Sequence, residues 1–263
     1  MRDHLLQKLI ISAPFGNYVS HPAATPTVGT YTLRFRAGPL VRLWRAARTI
    51  RYYRRAGAWI NRLGLPNPGV DSLRGADLSG KVLSVHGLAH SEWALLAEAA
   101  ALLRPSALEL NLSCPNVDAV AIADAVRAYE SSREGFAGPI IAKLSPVRWM
   151  DFAVPLFAAG ARHFHLCNTI PTPGGGVSGK PLKPFALWAV ADVKARWGGA
   201  VKVIGGGGVT GPDDARDYLA AGADRVAVGS LCFHPFHRST LSAIARVLDV
   251  PGRADDGRCP EAP

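Results

Sequence analysis

The sequence is poor in cysteine, and this shortage excludes several classes of protein. None of its four cysteines lies close to another or has the Cys/His spacing typical of a metal site. A disulfide-rich scaffold, a metal centre and an iron–sulfur cluster held by the chain's own cysteines are therefore not expected. The four are Cys114, Cys167, Cys232 and Cys259.

Long apolar runs are missing as well. No stretch approaches the roughly 18 apolar residues of a membrane-spanning helix. The short apolar run at 9–13, within the N-terminal residues 1–17, is too short for the core of a signal peptide. We therefore expect a cytoplasmic protein with reduced thiols and no membrane partner.

The chain of 263 residues is 48% hydrophobic and 19% charged, which is ordinary for a globular protein with a substantial core. Its length suits a single barrel domain, and internal repeats and low-complexity linkers are lacking. We predict one domain over 1–250. The tail over 251–263, rich in proline, glycine and aspartate, is expected to be disordered.

The formal net charge of +10 comes mostly from arginine, since only 7 of the 30 basic residues are lysine. Such a charge suits anionic ligands, and it also suits nucleic acid or an acidic membrane surface. No cluster interleaves basic and aromatic residues in the manner of a nucleic-acid module, so no nucleic-acid partner is expected. The favoured interpretation is that the arginines lie on solvated helix faces.

A basic segment at 41–55 has two interpretations. It could be a membrane-surface helix with Leu43, Trp44, Ile50 and Tyr53 on its apolar side. The favoured alternative is a solvated helix or loop on the outside of the domain.

From residue 81 onward, short β-rich runs alternate with segments of helical periodicity. Such alternation is typical of a parallel sheet with right-handed crossovers. Two earlier runs, 30–35 and 58–63, bring the number of strands to eight, so the predicted fold is a single-domain α/β (β/α)₈ TIM barrel. The later strands are 82–85, 107–112, 140–144, 163–167, 201–204 and 225–228, and the helices are 92–103, 120–129, 150–159, 185–197 and 213–221.

The active site of such a barrel lies at the C-terminal ends of the strands. Here these ends are polar or rich in glycine, and together they predict a site. In chain order they carry Asn111 to Asn116, Lys143, Asn168 with Thr169, Gly205 to Gly208, and Gly229 with Ser230.

The two glycine loops indicate a phosphate site. Loops after the seventh and eighth strands, aided by a helix N-terminus, are the recurrent phosphate-binding place of this fold. Pro212 and Asp213 supply such a helix start. The alternative, tight turns alone, is less favoured because two adjacent strands carry the same feature.

Cys114 is a candidate base. A lone cysteine is more often a small buried hydrophobe, but Asn111 and Asn116 bracket this one. A thiol pKa of about 8.5 leaves a few per cent of thiolate at neutral pH, which suits a proton acceptor at mildly alkaline pH. Strand alternation is predicted to turn Cys167 away from the face that Asn168 uses, so Cys167, Cys232 and Cys259 are taken as structural.

Four segments carry a family resemblance. The string Leu-Glu-Leu-Asn-Leu-Ser-Cys-Pro-Asn at 108–116 resembles the active-site loop of the class 1 dihydroorotate dehydrogenases. Residues 60–69, 175–182 and 204–230 are similar to further motifs of that family, and the likeness runs from about residue 10 to 250. Cysteine rather than serine at 114 points to class 1 and away from the membrane-associated class 2.

The resemblance implies FMN as cofactor. Its phosphate would lie on Gly207, Gly208, Gly229 and Ser230. Lys143 would contact the polar edge of its ring, and Ser178 and Gly179 would line it. Arg34 stands where the family has a lysine near the flavin, and arginine presents a planar, permanently charged fork there.

The resemblance also implies the substrate, a small anionic ring, and its chemistry. Asn61, Asn111, Asn116 and Asn168 would hold dihydroorotate, with Leu65 and Thr169 beside them. Cys114 would take a proton from one carbon while hydride leaves its neighbour for the flavin, giving orotate for pyrimidine biosynthesis, so Cys114 and Lys143 are the predicted catalytic residues. A homodimer and an electron-transfer partner subunit are further implications. Fumarate, a nicotinamide cofactor or a quinone remains open as the electron acceptor.

Three other functions stay open from the residues. They are a flavoprotein of the same fold acting on another dihydropyrimidine or an enone, a phosphate-binding aldolase with Lys143 as Schiff-base lysine, and a non-catalytic relative. The link from Asn168 to Gly174 is short and contains two prolines, which predicts a reduced lid. The protein would then either bind dihydroorotate with weaker apparent affinity than a typical relative does, or prefer a bulkier ring.

Overall fold

The computed structural model describes residues 6–113 and 121–249. In chain order the strands of this part are β1 Leu9–Ile11, β2 Ala24–Tyr31, β3 Arg51–Tyr53, β4 Ala58–Asn61, β5 Val82–Val85, β6 Ala107–Asn111, β7 Ile140–Leu144, β8 His163–Leu166, β9 Ile170–Thr172, β10 Gly175–Gly179, β11 Lys202–Gly206 and β12 Arg225–Val228. Eight of these strands run parallel and close into a barrel in the order β1-β12-β11-β8-β7-β6-β5-β2. The other four form a separate antiparallel sheet in the order β3-β4-β10-β9.

Helices surround the barrel, and the predicted (β/α)₈ TIM barrel is confirmed. They are α1 Pro39–Thr49, α2 Glu92–Leu103, α3 Ile122–Gly135, α4 Trp149–Ala158, α5 Lys183–Trp197, α6 Pro212–Ala220 and α7 His237–Asp249. α2 matches its predicted bounds because Trp93, Leu96 and Ala100 recur at helical spacing on its buried face. No helix among the described residues is both long and apolar enough to cross a membrane. The predicted tail at 251–263 lies outside those residues.

The first two barrel strands were predicted wrongly, although the total of eight is right. They are β1 and β2, whereas the predicted strand at 58–63 overlaps β4 of the separate sheet and the one at 30–35 overlaps only the end of β2. β1 has only three residues, too few for periodicity to reveal. β2 contains Pro26 and Gly29, residue types that ordinarily argue against a strand. Gly29 is needed because a Cβ there would lie 2.3 Å from the Ser84 carbonyl oxygen.

The interior of the barrel changes from apolar to polar along its axis. One buried apolar layer closes the lower part. Above it, nearer the C-terminal strand ends, the buried residues are polar: Thr27, Ser84, Glu109 and His165. Strand alternation points both sets inward. The lower layer contains Ile10, Val82, Ala107, Ile141, Ile204 and Ala227.

The separate sheet and α1 form walls at the mouth of the barrel. β9 and β10 form a hairpin, and β10 pairs antiparallel with β4. The short link after Asn168 contains β9 of this sheet, and the reduced lid stays a prediction. Pro171 is tolerated in β9 because β9 is an edge strand, and Pro173 lies in the turn that follows.

Candidate active site

A cavity of about 510 Å³ opens at the C-terminal end of the barrel. The barrel strand ends form its floor, while β4, β10 and α1 contribute side walls. Its volume is typical of a cofactor or small-molecule site. The predicted site residues that line it are Asn61, Leu65, Asn111, Lys143, Asn168, Thr169, Ser178, Gly179, Gly207, Gly208, Gly229 and Ser230. The predicted residues Cys114 and Asn116 lie outside the described part of the chain.

Asn111 and Asn168, two predicted substrate contacts, are hydrogen-bonded to each other. Asn168 Nδ2 donates to Asn111 Oδ1 at 2.9 Å and lies 3.1 Å from Ser113 Oγ. Asn111 Nδ2 in turn donates to Thr30 Oγ1 at 3.1 Å, and that hydroxyl lies 3.0 Å from Ser84 Oγ. This chain of polar side chains fixes both amides at the floor of the cavity.

A buried charged cluster lies directly beneath these amides. Glu109 Oε1 is 3.5 Å from Lys143 Nζ, and Glu109 Oε2 accepts a 2.7 Å hydrogen bond from His165 Nδ1. Burial acts to raise the pKa of Glu109, but the Lys143 ammonium and His165 outweigh it and lower that pKa to about 2. Burial lowers the pKa of His165. At neutral pH Glu109 is therefore a carboxylate and His165 a neutral imidazole.

The two glycine loops meet at one side of the cavity. Gly207 and Gly208 have φ values of 114° and 68°, in the left-handed region that favours glycine. A Cβ at Gly208 would lie 3.1 Å from the Gly179 carbonyl oxygen, so the loop packs closely on β10. Gly229 and Ser230 line the same cavity from the end of β12. This arrangement can present backbone N–H groups to an anion.

Asn67 is a cavity residue that the sequence did not single out, although it lies within the 60–69 motif. Its buried Oδ1 accepts hydrogen bonds from the backbone N–H groups of Thr32 and Gly69 at 3.1 and 2.9 Å. Its Nδ2 donates to the Leu65 carbonyl at 2.9 Å. Leu65 itself has a φ of 51°, rare for a side chain of this kind. Asn67 thus holds the loop that brings Leu65 to the cavity.

Two predictions need correction. Arg34 does not line the cavity: it is exposed, because β2 ends at Tyr31 and the following backbone packs on Gly69 instead of continuing along the barrel mouth. Cys167 does line the cavity. β8 ends at Leu166, so the alternation that was used to separate Cys167 from Asn168 does not extend to them. Burial raises the pKa of the Cys167 thiol to about 11, so this thiol stays protonated.

The polar groups and apolar walls of the cavity fit a planar cofactor that carries a phosphate. Ser12 Oγ lines it and is buried without a hydrogen-bond partner among the described residues. Lys143 supplies a cation at the floor, and Trp59 and Phe233, whose rings lie 4.4 Å apart, supply an apolar wall. A planar ring with polar atoms on one edge and a phosphate at its far end matches this set of donors.

Comparisons with known proteins agree on one family. Residues 165–241 match the family model described as dihydroorotate dehydrogenase. A protein of Aeropyrum pernix with the provisional name dihydroorotate dehydrogenase A (fumarate) is 32% identical over 232 residues, which cover 75% of this chain and 74% of that protein. A dihydroorotate dehydrogenase B (NAD(+)) catalytic subunit of Listeria monocytogenes is 30% identical over 235 residues, or 76% and 74% of the two chains.

The fold is shared with solved structures. The crystal structure of the dihydroorotate dehydrogenase of Eimeria tenella in complex with ferulenol superposes with a TM-score of 0.72, covering 92% of this chain and 80% of that one, at 18% identity. The ligand-free form gives a TM-score of 0.69 over 85% and 76%. These likenesses support the barrel fold.

Proposed function

Because the chain belongs to the dihydroorotate dehydrogenase family, we propose that it oxidises dihydroorotate to orotate, a step of pyrimidine biosynthesis, with FMN as cofactor. The observation that carries the proposal is the placement of the paired amides Asn111 and Asn168. They share one cavity with the Lys143 cation and the Gly207–Gly208 loop. Such a cavity can hold an anionic ring between hydrogen-bonding groups and a phosphate-bearing cofactor.

The cofactor would be held from two sides. When bound, FMN supplies a hydride acceptor. Gly207, Gly208, Gly229 and Ser230 would donate to its phosphate, while Lys143 would contact the polar edge of its ring. Ser178 and Gly179 would line it from β10.

The substrate would be held by amides. Asn111 and Asn168 already orient each other, and Asn61 lines the cavity opposite them, on β4 of the separate sheet. Leu65 and Thr169 complete the described part of the site, and Asn116 would add a fourth amide. A buried amide that loses its partner costs about 1–3 kcal/mol, so this set favours a ring that matches every group.

Proton removal would fall to Cys114. It follows Ser113, whose hydroxyl lies 3.1 Å from Asn168 Nδ2 and thus belongs to the polar chain at the cavity floor. As Cys114 takes the proton from one ring carbon, the electrons of that C–H bond become the new C=C bond, and the adjacent carbon loses a hydride.

An aldolase function is not favoured. Lys143 is paired with the buried Glu109 carboxylate, and an ammonium held in this way is a poor nucleophile for Schiff-base formation. As further proposals, the protein is cytoplasmic and forms a homodimer. The Listeria relative is named as a catalytic subunit, so we also propose that this chain works with an electron-transfer partner subunit.

The test uses the purified protein. The cofactor is released by heat and identified by mass, and the flavin is then reduced anaerobically with dihydroorotate and, separately, with other dihydropyrimidines and enones. We expect the released cofactor to be FMN and dihydroorotate to reduce the bound flavin faster than the other rings do. FAD in place of FMN, or faster reduction by another ring, would refute the cofactor or the substrate respectively.

A further inference from the structure

The excess positive charge of this protein is confined to one segment. Residues 4–70 contain ten of the thirty lysines and arginines and no aspartate or glutamate. Over the rest of the chain, twenty basic residues are matched by twenty acidic ones, so the whole net charge of +10 belongs to 4–70. Among the described residues, no arginine between 34 and 62 forms an ion pair with a carboxylate.

Within this segment, α1 has its apolar face turned outward. Leu40, Leu43 and Trp44 are 80%, 70% and 58% exposed, and Ala47 is exposed beside them. At 100° per residue these four side chains fall within one third of the helix circumference. An ordinary surface helix does the reverse and buries its apolar stripe.

The polar side of α1 faces the protein. Arg42 and Arg45 are half-buried, and Arg42 lies over the Tyr18 ring at 5.9 Å and donates to its hydroxyl. Ala46 and Ile50 line the cavity, so Ile50 belongs to the inner face and not to the apolar side predicted from the sequence. The outward stripe is therefore not needed to fold α1 onto the barrel.

Basic side chains flank the apolar stripe at the C-terminal end of the helix. Arg48 is exposed and lies 5.1 Å from the Trp44 ring, and Arg51, Arg54 and Arg55 are exposed directly after the helix. At the other end, the exposed Phe35 ring lies beside Gly38, the residue before the helix. Leucine and tryptophan beside a group of exposed arginines match the interface of an anionic bilayer, where apolar side chains enter between headgroups and arginines bind phosphates.

We propose that α1 and residues 51–55, here called the basic face, bind the surface of an anionic phospholipid bilayer. This departs from the sequence-based expectation of no membrane partner, and it does not depend on the proposed function. The helix lies on the surface and does not span it. Since the inner side of α1 lines the cavity, the mouth of the barrel would lie next to the bilayer.

A lipid surface explains the basic face better than a second copy of the chain does. Two copies meeting through this face would bring like charges together, because 4–70 contains no acidic residue. An anionic bilayer instead complements every exposed arginine. The negative potential of the cytoplasmic leaflet offers such a surface to a cytoplasmic protein.

The test is flotation of the full-length protein with vesicles of phosphatidylcholine, with and without phosphatidylglycerol. One variant carries Leu40→Gln and Leu43→Gln, and its control carries Leu95→Gln and Leu102→Gln, two exposed leucines on α2. A second variant carries Arg48→Gln, Arg54→Gln and Arg55→Gln. Its control removes the same charge elsewhere, through Arg133→Gln, Arg238→Gln and Arg246→Gln, which are all exposed. Unchanged thermal unfolding shows that each variant is folded.

The parent is expected to float with the anionic vesicles and only weakly with the neutral ones. Both variants of the basic face should weaken binding by about tenfold or more, and both controls should behave like the parent. Failure of the parent to bind anionic vesicles at low salt would overturn the proposal. Equal losses in variants and controls would also overturn it, as would a dimer in solution that the Leu40→Gln, Leu43→Gln variant dissociates.

Discussion

Lys143 and Glu109 form an ion pair between adjacent barrel strands, with Nζ 3.5 Å from Oε1 and both side chains almost fully buried. The pair carries no net charge, yet its cationic end lines the cavity and its anionic end lies beneath. His165 holds the other carboxylate oxygen at 2.7 Å and so fixes the direction of the pair. The floor of the site thus presents one oriented positive charge to a ligand.

Removal of one partner should therefore destabilise the protein more than removal of both. Lys143→Met leaves the Glu109 carboxylate buried without its cation, and such changes cost about 3–5 kcal/mol. Adding Glu109→Gln to that variant removes the uncompensated charge and should restore part of the loss. Urea unfolding of the three proteins measures this. A double variant no more stable than Lys143→Met would contradict the ion pair as the cause.

The Gly208 backbone should be sensitive to a side chain. Gly208→Ala places a Cβ at a φ of 68° and 3.1 Å from both the Gly179 carbonyl oxygen and Lys180 Cα. Left-handed strain of this kind costs about 1–3 kcal/mol, and relief of it would shift the N–H groups of the loop. We expect FMN to bind about tenfold more weakly in a fluorescence titration. Gly211→Ala is the control, since nothing lies within 4 Å of its Cβ position.

The later barrel strands could be predicted because apolar runs alternate there with helical periodicity over many residues. The glycines and amides of the site could be predicted from those strands, because a barrel brings the C-terminal ends of its strands together at one mouth. What could not be predicted depends on contacts between distant segments. Nothing near Glu109 in the sequence indicates that Lys143 and His165 offset the cost of burying its carboxylate. Nor does the sequence indicate that Asn67 accepts a hydrogen bond from the backbone after β2, in a loop that leaves Arg34 exposed.

The outward face of α1 was hidden for a related reason. Its amphipathic pattern was visible, but a pattern alone does not say which face meets the protein. Arg42 meets it because Tyr18, far away in sequence, accepts its hydrogen bond and packs on its guanidinium. The exposure of Leu40 and Leu43 therefore becomes apparent only in the folded structure.

Stability should fall on mild acidification because His165 is buried and neutral. Its pKa is lowered in the fold, so between its unfolded value of about 6.5 and its folded value the unfolded chain binds more protons. The unfolding free energy then decreases as pH decreases. In His165→Gln, the difference in unfolding free energy between pH 7.5 and pH 5.5 should be smaller than in the parent by about 1 kcal/mol. The exposed His90→Gln is the control and should leave the difference unchanged. An identical pH dependence in His165→Gln and the parent would assign it to other groups.

Asn168→Ala should impair substrate use while FMN remains bound. The variant removes the donor to Asn111 Oδ1 and leaves that acceptor unpaired at the cavity floor. With about 1–3 kcal/mol for each unpaired group, kcat/KM for dihydroorotate should fall by about 5- to 150-fold. Flavin content, read from the absorbance spectrum, should not change. Loss of flavin from the variant would place Asn168 on the cofactor side instead.

Cys114 and Cys167 offer a matched pair for identifying the base. A base with an ordinary thiol pKa of about 8.5 makes flavin reduction faster as pH rises toward that value. Cys167, whose pKa burial raises to about 11, stays protonated over that range although it lines the cavity. Cys114→Ala should therefore retain FMN but slow anaerobic flavin reduction by about 10²–10⁴-fold and abolish the rise with pH. Cys167→Ala should keep the rise and change the rate by less than about tenfold. If instead Cys114→Ala kept the parent rate, another group would accept the proton. Loss of the pH dependence in Cys167→Ala alone would identify Cys167 as that group.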